Sequence, residues 1–239
     1  MGGSFSIPPR RPSSRKRWTR RPPCFRCFGI RGAYVWVVKL GGSLAHDASL
    51  HAWLSELVNC PDPVVVVPGG GPFADEVRRL QQTWLFDDGR AHALALRAMD
   101  VFAETICALH PGVSPLESLQ EMPDTGRVER AVRVWIPSRD VLADSSVEQS
   151  WDVTSDSLSA WLAGRLRAHG LLLVKSKEPD TEDGSLMNLV EEGLLDRAFL
   201  RYGPQAGCPI ALLHRDRSGK FDGWRSGWSG CGYRIKACN

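Results

Sequence analysis

The chain has 239 residues, of which 43% are hydrophobic, so it can fill the core of one large α/β domain or two small ones. No apolar run approaches the ~20 residues that span a bilayer, which excludes a helical membrane protein and predicts a soluble one. The net charge of +3 is unevenly distributed: residues 1–32 carry nine Lys or Arg and no acidic residue, and subtracting these nine charges leaves −6 for residues 33–239. We therefore expect no broad nucleic-acid surface on the body of the chain.

The first 32 residues are rich in Arg, Pro and Ser and show no apolar periodicity, which predicts a disordered basic tail. Three explanations stay open for this tail: a nucleic-acid or membrane-surface arm, a transit peptide, or non-native sequence from an over-extended reading frame. We rank the third first, because the pattern of a folded domain begins abruptly at Tyr34.

Seven cysteines are scattered irregularly through the chain, and no secretory apolar segment precedes them. Their odd number and spacing favour reduced thiols and a cytoplasmic protein over a disulfide framework. Cys24 and Cys27 have the spacing of a zinc knuckle, but no second Cys or His pair follows nearby. Since the six histidines form no metal-binding pair either, no metal site is predicted from a direct motif.

Beyond the tail, strand-like and helix-like patterns alternate. Short apolar runs predict strands at residues 34–39, 64–67, 132–136, 171–175 and 209–213. Apolar residues at helical spacing predict helices after Asp47, over 73–82, over 90–110 and after Thr154 or Ser155, the last one closed by Gly170. This rhythm predicts an α/β fold over residues 33–213, a three-layer αβα sandwich with a mainly parallel central sheet. Residues 214–239 show no period, and we expect an irregular C-terminal segment there.

A lysine and two glycines end the first predicted strand, in KLGGS at residues 39–43. Gly41 and Gly42 allow backbone N–H groups to approach phosphate oxygens with no Cβ in the way. Lys39 adds a positive charge for oxygens that become more negative during phosphoryl transfer. An ordinary glycine-rich turn between strand and helix would look similar, so this segment alone leaves both interpretations open.

Three glycines follow the second predicted strand, in PGGGP at residues 68–72. Because Pro72 suits the first turn of a helix, the N–H groups of Gly69, Gly70 and Gly71 would lie at a helix N-terminus, which attracts anions. A flexible loop is the alternative. The position of the glycines between a VVVV strand and a helix start favours the anion site.

The segment WDVTSDS at residues 151–157 places hydroxyl and carboxylate side chains at the start of a predicted helix. Thr154 or Ser155 can cap this helix, and for both residues a cap and a functional role are equally good explanations. Asp156 is not needed for a cap, which favours a functional role for it. Since ligands of a parallel sheet bind beyond the carboxyl ends of its strands, we expect all three segments to lie side by side. No GxxxxGK[ST] occurs, which excludes a P-loop.

Together the three segments resemble the amino-acid kinase superfamily, which includes aspartate, acetylglutamate, uridylate and isopentenyl phosphate kinases. KLGGS, VVPGGG and TSDS stand in that family's order and spacing, within a resemblance that covers residues 34–213. It implies an αβα sandwich and an ATP-dependent phosphotransferase. One branch is more similar still: VVPGGGPFADEVR, VWIPSRD and WDVTSDSLSAWLA resemble the archaeal and methylotroph kinases that phosphorylate [5-(aminomethyl)furan-3-yl]methyl phosphate, a step towards methanofuran, a one-carbon carrier.

The resemblance also implies residue roles. Lys39 would contact the transferring phosphoryl group, and Asp156 would orient the lysine or hold Mg²⁺. The phosphates of ATP would bind at the two turns, at the helix start and at the end of the fourth strand, through Gly41, Gly42, Ser43, Gly69, Gly70, Gly71, Thr154, Ser155 and Lys175. Asp75 and Arg78 would face the acceptor, although a solvated helix face explains them as well.

This sequence departs from the family's pattern at two places, which keeps alternative functions open. KEPD at residues 177–180 stands where relatives often have an Asp-Gly pair, and the C-terminal region lacks the regular helix and strand of relatives. The second active-site lysine of the family is not placed, since Lys220 lies in the irregular region. We therefore expect transfer to a small phosphate-bearing acceptor, with the furan phosphate first. The alternatives are uridylate or another acceptor of this family, and a catalytically degenerate nucleotide-binding protein. A homo-oligomer is left open.

Overall fold

A computed structural model describes residues 35–122, 129–180, 184–227 and 232–235, so the predicted tail lies outside the described residues. The strands are β1 Trp36–Leu40, β2 Val64–Pro68, β3 Val113–Leu116, β4 Val132–Trp135, β5 Gly170–Lys175, β6 Ile210–His214 and β7 Tyr233–Ile235. The α-helices are α1 Ser49–Asn59, α2 Gly71–Trp84, α3 Asp88–Leu109, α4 Pro137–Ala143, α5 Ser155–Leu166, α6 Leu186–Glu191, α7 Phe199–Tyr202 and α8 Phe221–Arg225. Across these described ranges, none of the helices is long and apolar enough to cross a membrane.

All seven strands join in one sheet, in the order β3-β4-β2-β1-β5-β6-β7. The first six run parallel, and β7 alone pairs antiparallel, with β6. The mainly parallel αβα sandwich predicted from the sequence is thus confirmed. Strand β1 lies between β2 and β5, so the carboxyl ends of these three strands meet at one edge of the sheet.

Alternate residues of β1 face opposite helical layers, as the two-residue period of a strand requires. Val37 packs on one face with Leu158 and Leu162 of α5. Val38 packs on the other face with Trp53 and Leu54 of α1. Burial on both faces explains why the central strands are continuous apolar runs.

Two local features differ from the sequence-based expectation. The edge strand β3 was not predicted, because its sequence VSPL contains Pro115, a residue that only an edge strand or a bulge tolerates. Gly170 does not close α5, which ends at Leu166 with Arg167 in the left-handed conformation. Gly170 instead begins β5, where a Cβ would lie 2.6 Å from the indole ring of Trp36.

The segment after β6 is more regular than its sequence suggests. It contains a 3₁₀ segment at Arg215–Lys220, then α8 and β7. Phe221 and Trp224 of α8 are buried in the same core as α1. Elements of three to six residues are too short to show an apolar period, which is why the sequence gives no sign of them.

Candidate active site

Two lysines reach one side of the sheet from the adjacent strands β1 and β5. Lys39 lies opposite Leu173 in the parallel register, and Lys175 follows Leu173 by two residues. Residues two apart on a strand point to the same face, so both lysines share the face that α5 covers. The side chains of Lys39 and Lys175 are 6% and 13% exposed, which means that both charges are largely withdrawn from water.

The carboxylate of Asp156 lies between these two lysines. Asp156 is the second residue of α5 and is buried. The Lys39 Nζ is 2.9 Å from Asp156 Oδ1, a charge contact outside aligned hydrogen-bond geometry. The Lys175 Nζ donates a hydrogen bond to Oδ2. One carboxylate therefore fixes two ammonium groups, one at each oxygen.

The pKa values reflect a competition between burial and charge. Burial alone would raise the pKa of Asp156, but the charges of Lys175 and Lys39 outweigh it and lower that pKa to about 2. Burial lowers the pKa of Lys175 to about 8, even though Asp156 opposes the shift. The carboxylate is thus ionised at neutral pH, and the trio carries a net positive charge while both lysines are protonated.

The two glycine turns are in direct contact beside these charges. The N–H of Gly69 donates to the carbonyl of Leu40, 2.9 Å away. A Cβ on Gly42 would collide with the backbone of Gly71, and a Cβ on Gly69 would collide with that of Gly42. Glycine is therefore required on both sides of this contact, because any side chain would push the turns apart.

The second turn leads directly into α2. Gly71 is the first residue of this helix and has a φ of +54°, a left-handed conformation that favours glycine. The first N–H groups of a helix lack intrahelical partners and carry its positive dipole end. The first turn lies beside the charges, since a Cβ on Gly41 would lie 3.4 Å from the Lys39 Nζ. Lys39, Asp156, Lys175 and both turns thus meet at one edge of the sheet.

Two of the predicted phosphate contacts, Gly69 and Thr154, have other partners in this structure. The N–H of Gly69 is engaged by Leu40, so this residue joins the turns and has no free donor. Thr154 is the N-cap of α5, and its hydroxyl donates to Asp196 over 2.7 Å. Ser43 is exposed next to the first turn, whereas Ser155 is buried at the start of α5.

Asp196 was missed by the sequence analysis. Its Oδ2 accepts hydrogen bonds from the Thr154 N–H at 2.9 Å and the Ser157 N–H at 3.0 Å, and Oδ1 accepts from the Ser157 hydroxyl and from the Phe199 N–H at 2.9 Å. Burial and the nearby charge of Asp156 raise the pKa of Asp196. This carboxylate fastens the first turn of α5, and so determines where Asp156 lies. Asp196 lies 40 residues after Asp156 in the sequence, so no local motif links the two residues.

A cleft opens from the second glycine turn and the start of α5, and it runs between α2 and α3. Gly70, Ser155 and Arg78 are among its lining residues. The Arg78 guanidinium lies 4.4 Å from the centre of the Trp151 ring and pairs with Asp75 at 2.9 Å. Asp75 does not line the cleft, and its side chain is 66% exposed. Of the two predicted acceptor contacts, Arg78 alone lies at this cleft.

The family of the chain follows from its sequence as well as from this geometry. A model of the amino acid kinase family matches residues 35–179, which include both glycine turns and the lysine–aspartate trio. The chain belongs to the amino acid kinase family. It is accordingly an ATP-dependent kinase, and the family resemblance seen in its motifs is confirmed.

Individual relatives agree with this assignment. The chain is 27% identical over 161 residues to the [5-(aminomethyl)furan-3-yl]methyl phosphate kinase of Methanocaldococcus jannaschii, an alignment that covers 64% of this chain and 73% of the relative. The uridylate kinase from Archaeoglobus fulgidus superimposes with a TM-score of 0.54 at 16% identity, over 75% of this chain and 90% of that one. The T. acidophilum isopentenyl phosphate kinase gives 0.52 at 14% identity, over 84% and 100%. At these identities the two solved structures show the fold.

Proposed function

We propose that this kinase transfers the γ-phosphoryl group of ATP to a small acceptor that already carries a phosphate. The first candidate is [5-(aminomethyl)furan-3-yl]methyl phosphate, which would become the diphosphate in the biosynthesis of a methanofuran-type one-carbon cofactor. The observation that carries the proposal is the pair of buried ammonium groups on one carboxylate, beside two glycine turns. The 27% identical relative supports the choice of acceptor. Uridylate, or another acceptor of this family, is the second candidate.

The reaction needs positive charge more than it needs a base. An oxygen of the acceptor phosphate forms a bond to the γ-phosphorus, and the bond from that phosphorus to the β–γ bridging oxygen breaks, so ADP leaves with the electron pair. The attacking oxygen is already anionic at neutral pH. Negative charge instead shifts onto the bridging oxygen and the equatorial oxygens, and the Nζ atoms of Lys39 and Lys175 would stabilise it there.

Asp156 would act as the residue that holds both lysines in place. Two ammonium groups that contact the same carboxylate repel one another, and in a buried site that repulsion is strong. A carboxylate between them offsets one charge and fixes the position of both before substrate arrives. Lys175 would thereby take the place of the second lysine that the sequence analysis could not assign, while Lys220 is exposed in the 3₁₀ segment.

The phosphate chain of ATP would bind along the contact between the two turns. The N–H groups of Gly41, Gly42, Gly70 and Gly71 would donate to phosphate oxygens, and the helix dipole of α2 would add to this attraction. Hydroxyl donors near the same edge would come from Ser155, and from Ser43 at the outer side of the first turn.

The side chains of the described residues form no preformed Mg²⁺ site. The described ranges contain no group of three or more His, Cys, Asp or Glu side chains that could hold a metal ion. Asp156 is engaged by two ammonium groups, which disfavours a further role as a metal ligand. We therefore propose that Mg²⁺ enters with the ATP oxygens, where it would neutralise part of their charge.

The cytoplasm is the location that we propose for this reaction. The seven irregularly spaced cysteines favour reduced thiols, which persist in that compartment.

The proposal is tested by ADP release and ³¹P NMR with four reaction mixtures: the furan phosphate, UMP, isopentenyl phosphate, and no acceptor. We expect ATP- and acceptor-dependent formation of a diphosphate with the furan phosphate. Preferred turnover of UMP would instead favour the second candidate. Tight ATP binding without transfer to any acceptor would overturn the proposal in favour of a nucleotide-binding protein without catalysis.

A further inference from the structure

His92 lies on the cleft wall with one ring nitrogen engaged and the other without a partner. The residue belongs to α3 and is 4% exposed. Its Nδ1 is 3.1 Å from the carbonyl oxygen of Ser150. Its Nε2 is buried and has no hydrogen-bond partner among the residues that the structure describes. A buried polar atom of this kind is uncommon and calls for an explanation.

The contact with Ser150 fixes the tautomer of His92. A carbonyl oxygen can only accept, so Nδ1 must carry the proton. Burial lowers the pKa of His92, which keeps the ring neutral at physiological pH even though the bond to Ser150 opposes that shift. In a neutral imidazole with a protonated Nδ1, the Nε2 atom bears a lone pair and can only accept a hydrogen bond.

The cleft around His92 suits the body of a small, largely apolar molecule. Much of the remaining wall is formed by apolar side chains of α3, α5 and the loop before α5, among them Leu96, Met99, Val153 and Leu158, while Arg78 of α2 also lines the cleft. Gly70 and Ser155 line the same cleft, so it is continuous with the proposed phosphate pocket. A molecule whose phosphate lies at the glycine turn can therefore extend its other end along these walls towards His92.

We propose that the cleft is the acceptor subsite and that His92 Nε2 accepts a hydrogen bond from an N–H or O–H group of the acceptor, at the end remote from its phosphate. This inference rests on the proposed function, because it assumes that the acceptor's phosphate lies at the glycine turn. It names the chemical class that the site selects: a compact apolar body with a phosphate at one end and a hydrogen-bond donor at the other. An acceptor without that donor would leave Nε2 unpaired in a buried site, which is costly.

Three acceptors that differ in one substituent test this assignment. They are the aminomethylfuran phosphate of the proposed function and its analogues with a hydroxymethyl or a methyl group in place of the aminomethyl group. We expect the wild-type protein to favour the two donor-bearing acceptors over the methyl analogue by about 10- to 100-fold in kcat/KM. In His92→Phe, which removes both nitrogens from a ring of similar shape, this preference should disappear.

His92→Gln and His51→Phe are the companion variants. Gln offers an acceptor oxygen near the position of Nε2, so part of the preference should return. His51 is exposed on α1, and its replacement should leave the preference unchanged. Thermal unfolding of each variant identifies any that fail to fold, and His92→Gln keeps the test decisive if His92→Phe is one of them. An unchanged preference in the His92 variants, or no preference in the wild type, overturns the inference.

Equilibrium binding separates failure of this inference from failure of the proposed function. The dissociation constants of the three acceptors are measured with the non-hydrolysable analogue adenylyl imidodiphosphate bound. A His92-dependent binding preference without any phosphoryl transfer by ATP would support the subsite and refute the proposed function. Transfer to all three acceptors at equal efficiency would support the function and refute the subsite.

Discussion

Lys39 and Lys175 contact opposite oxygens of a single buried carboxylate, that of Asp156. The parallel register of β1 and β5 places the two lysines on the same face, and the first turn of α5 brings the carboxylate between them. Two cations that share one anion leave a net positive charge in a site from which water is largely excluded. This is the arrangement that a developing negative charge on phosphate oxygens requires.

Replacing Lys39 by Ala should abolish most of the activity and leave the fold intact. Asp156 keeps Lys175 as a partner, so no buried charge is left unpaired. Loss of one fixed charge from the proposed phosphate pocket is expected to lower kcat by about 10²–10³-fold. Lys177→Ala is the matched control, since this lysine is 55% exposed and pairs with Asp180 on the surface. Steady-state kinetics with a thermal unfolding curve for each variant check the prediction, and a near-normal rate for Lys39→Ala would contradict it.

The activity should fall as the pH rises through about 8. The pKa of Lys175 is lowered to about 8, so its ammonium loses the proton above that pH and with it the charge that would bind phosphate. The pH dependence of kcat/KM for ATP reports groups of the free enzyme and should show this alkaline limb. In Lys175→Arg, whose guanidinium stays charged, the limb should move to higher pH. Identical alkaline limbs in both proteins would show that Lys175 does not control this step.

Asp196→Ala should destabilise the protein and impair catalysis together. It removes the acceptor of the Thr154 and Ser157 N–H groups and of both hydroxyls, which we expect to cost on the order of 3 kcal/mol of the free energy of unfolding. Asp196→Asn keeps one acceptor oxygen and should lose less. Chemical denaturation measures both variants against Asp180→Ala, which alters an exposed carboxylate. Equal stability of Asp196→Ala and the wild type would refute the role of Asp196 in holding α5.

A methyl group on Gly69 should disrupt the site more than its size suggests. The Cβ of Gly69→Ala would collide with the backbone of Gly42, so the two turns must separate. A shift of about 1 Å in such a site can cost about 10²-fold in rate. Gly219→Ala is the control, because a Cβ there meets no atom within 4 Å. If the rates of both alanine variants match the wild type, the turn–turn contact is not needed for catalysis.

Much of the fold follows from local pattern. The five predicted strands correspond to β1, β2, β4, β5 and β6, and the long amphipathic helices α1, α2, α3 and α5 lie where apolar spacing indicated. Asp47 was predicted to cap α1; its carboxylate accepts from the Ser49 N–H at 2.9 Å, while Ala48 is the residue that immediately precedes the helix. The unpredicted elements, such as β3 and β7, are three to seven residues long and lie at sheet edges or in connections, where too few residues are buried to create a period.

The site could be predicted only in part. Lys39 and the glycines stand in short motifs whose residue types alone suggest phosphate chemistry. The convergence of Lys39 and Lys175 on Asp156 depends on the register of β1 and β5, and the contacts of Asp196 join segments about 40 residues apart. Which ring nitrogen of His92 lacks a partner depends on a tertiary contact, that of Nδ1 with the carbonyl of Ser150. None of these relationships has a signal in the order of residues along the chain.

We propose that Lys39, Lys175 and the two glycine turns form one polyphosphate pocket. A crystal structure with adenylyl imidodiphosphate tests it most directly. We expect γ-phosphate oxygens within hydrogen-bond reach of both Nζ atoms, about 2.6–3.2 Å, and of the N–H groups of Gly70 and Gly71. An analogue whose phosphates lie on the other edge of the sheet, with the lysines still bound only to Asp156, would contradict it.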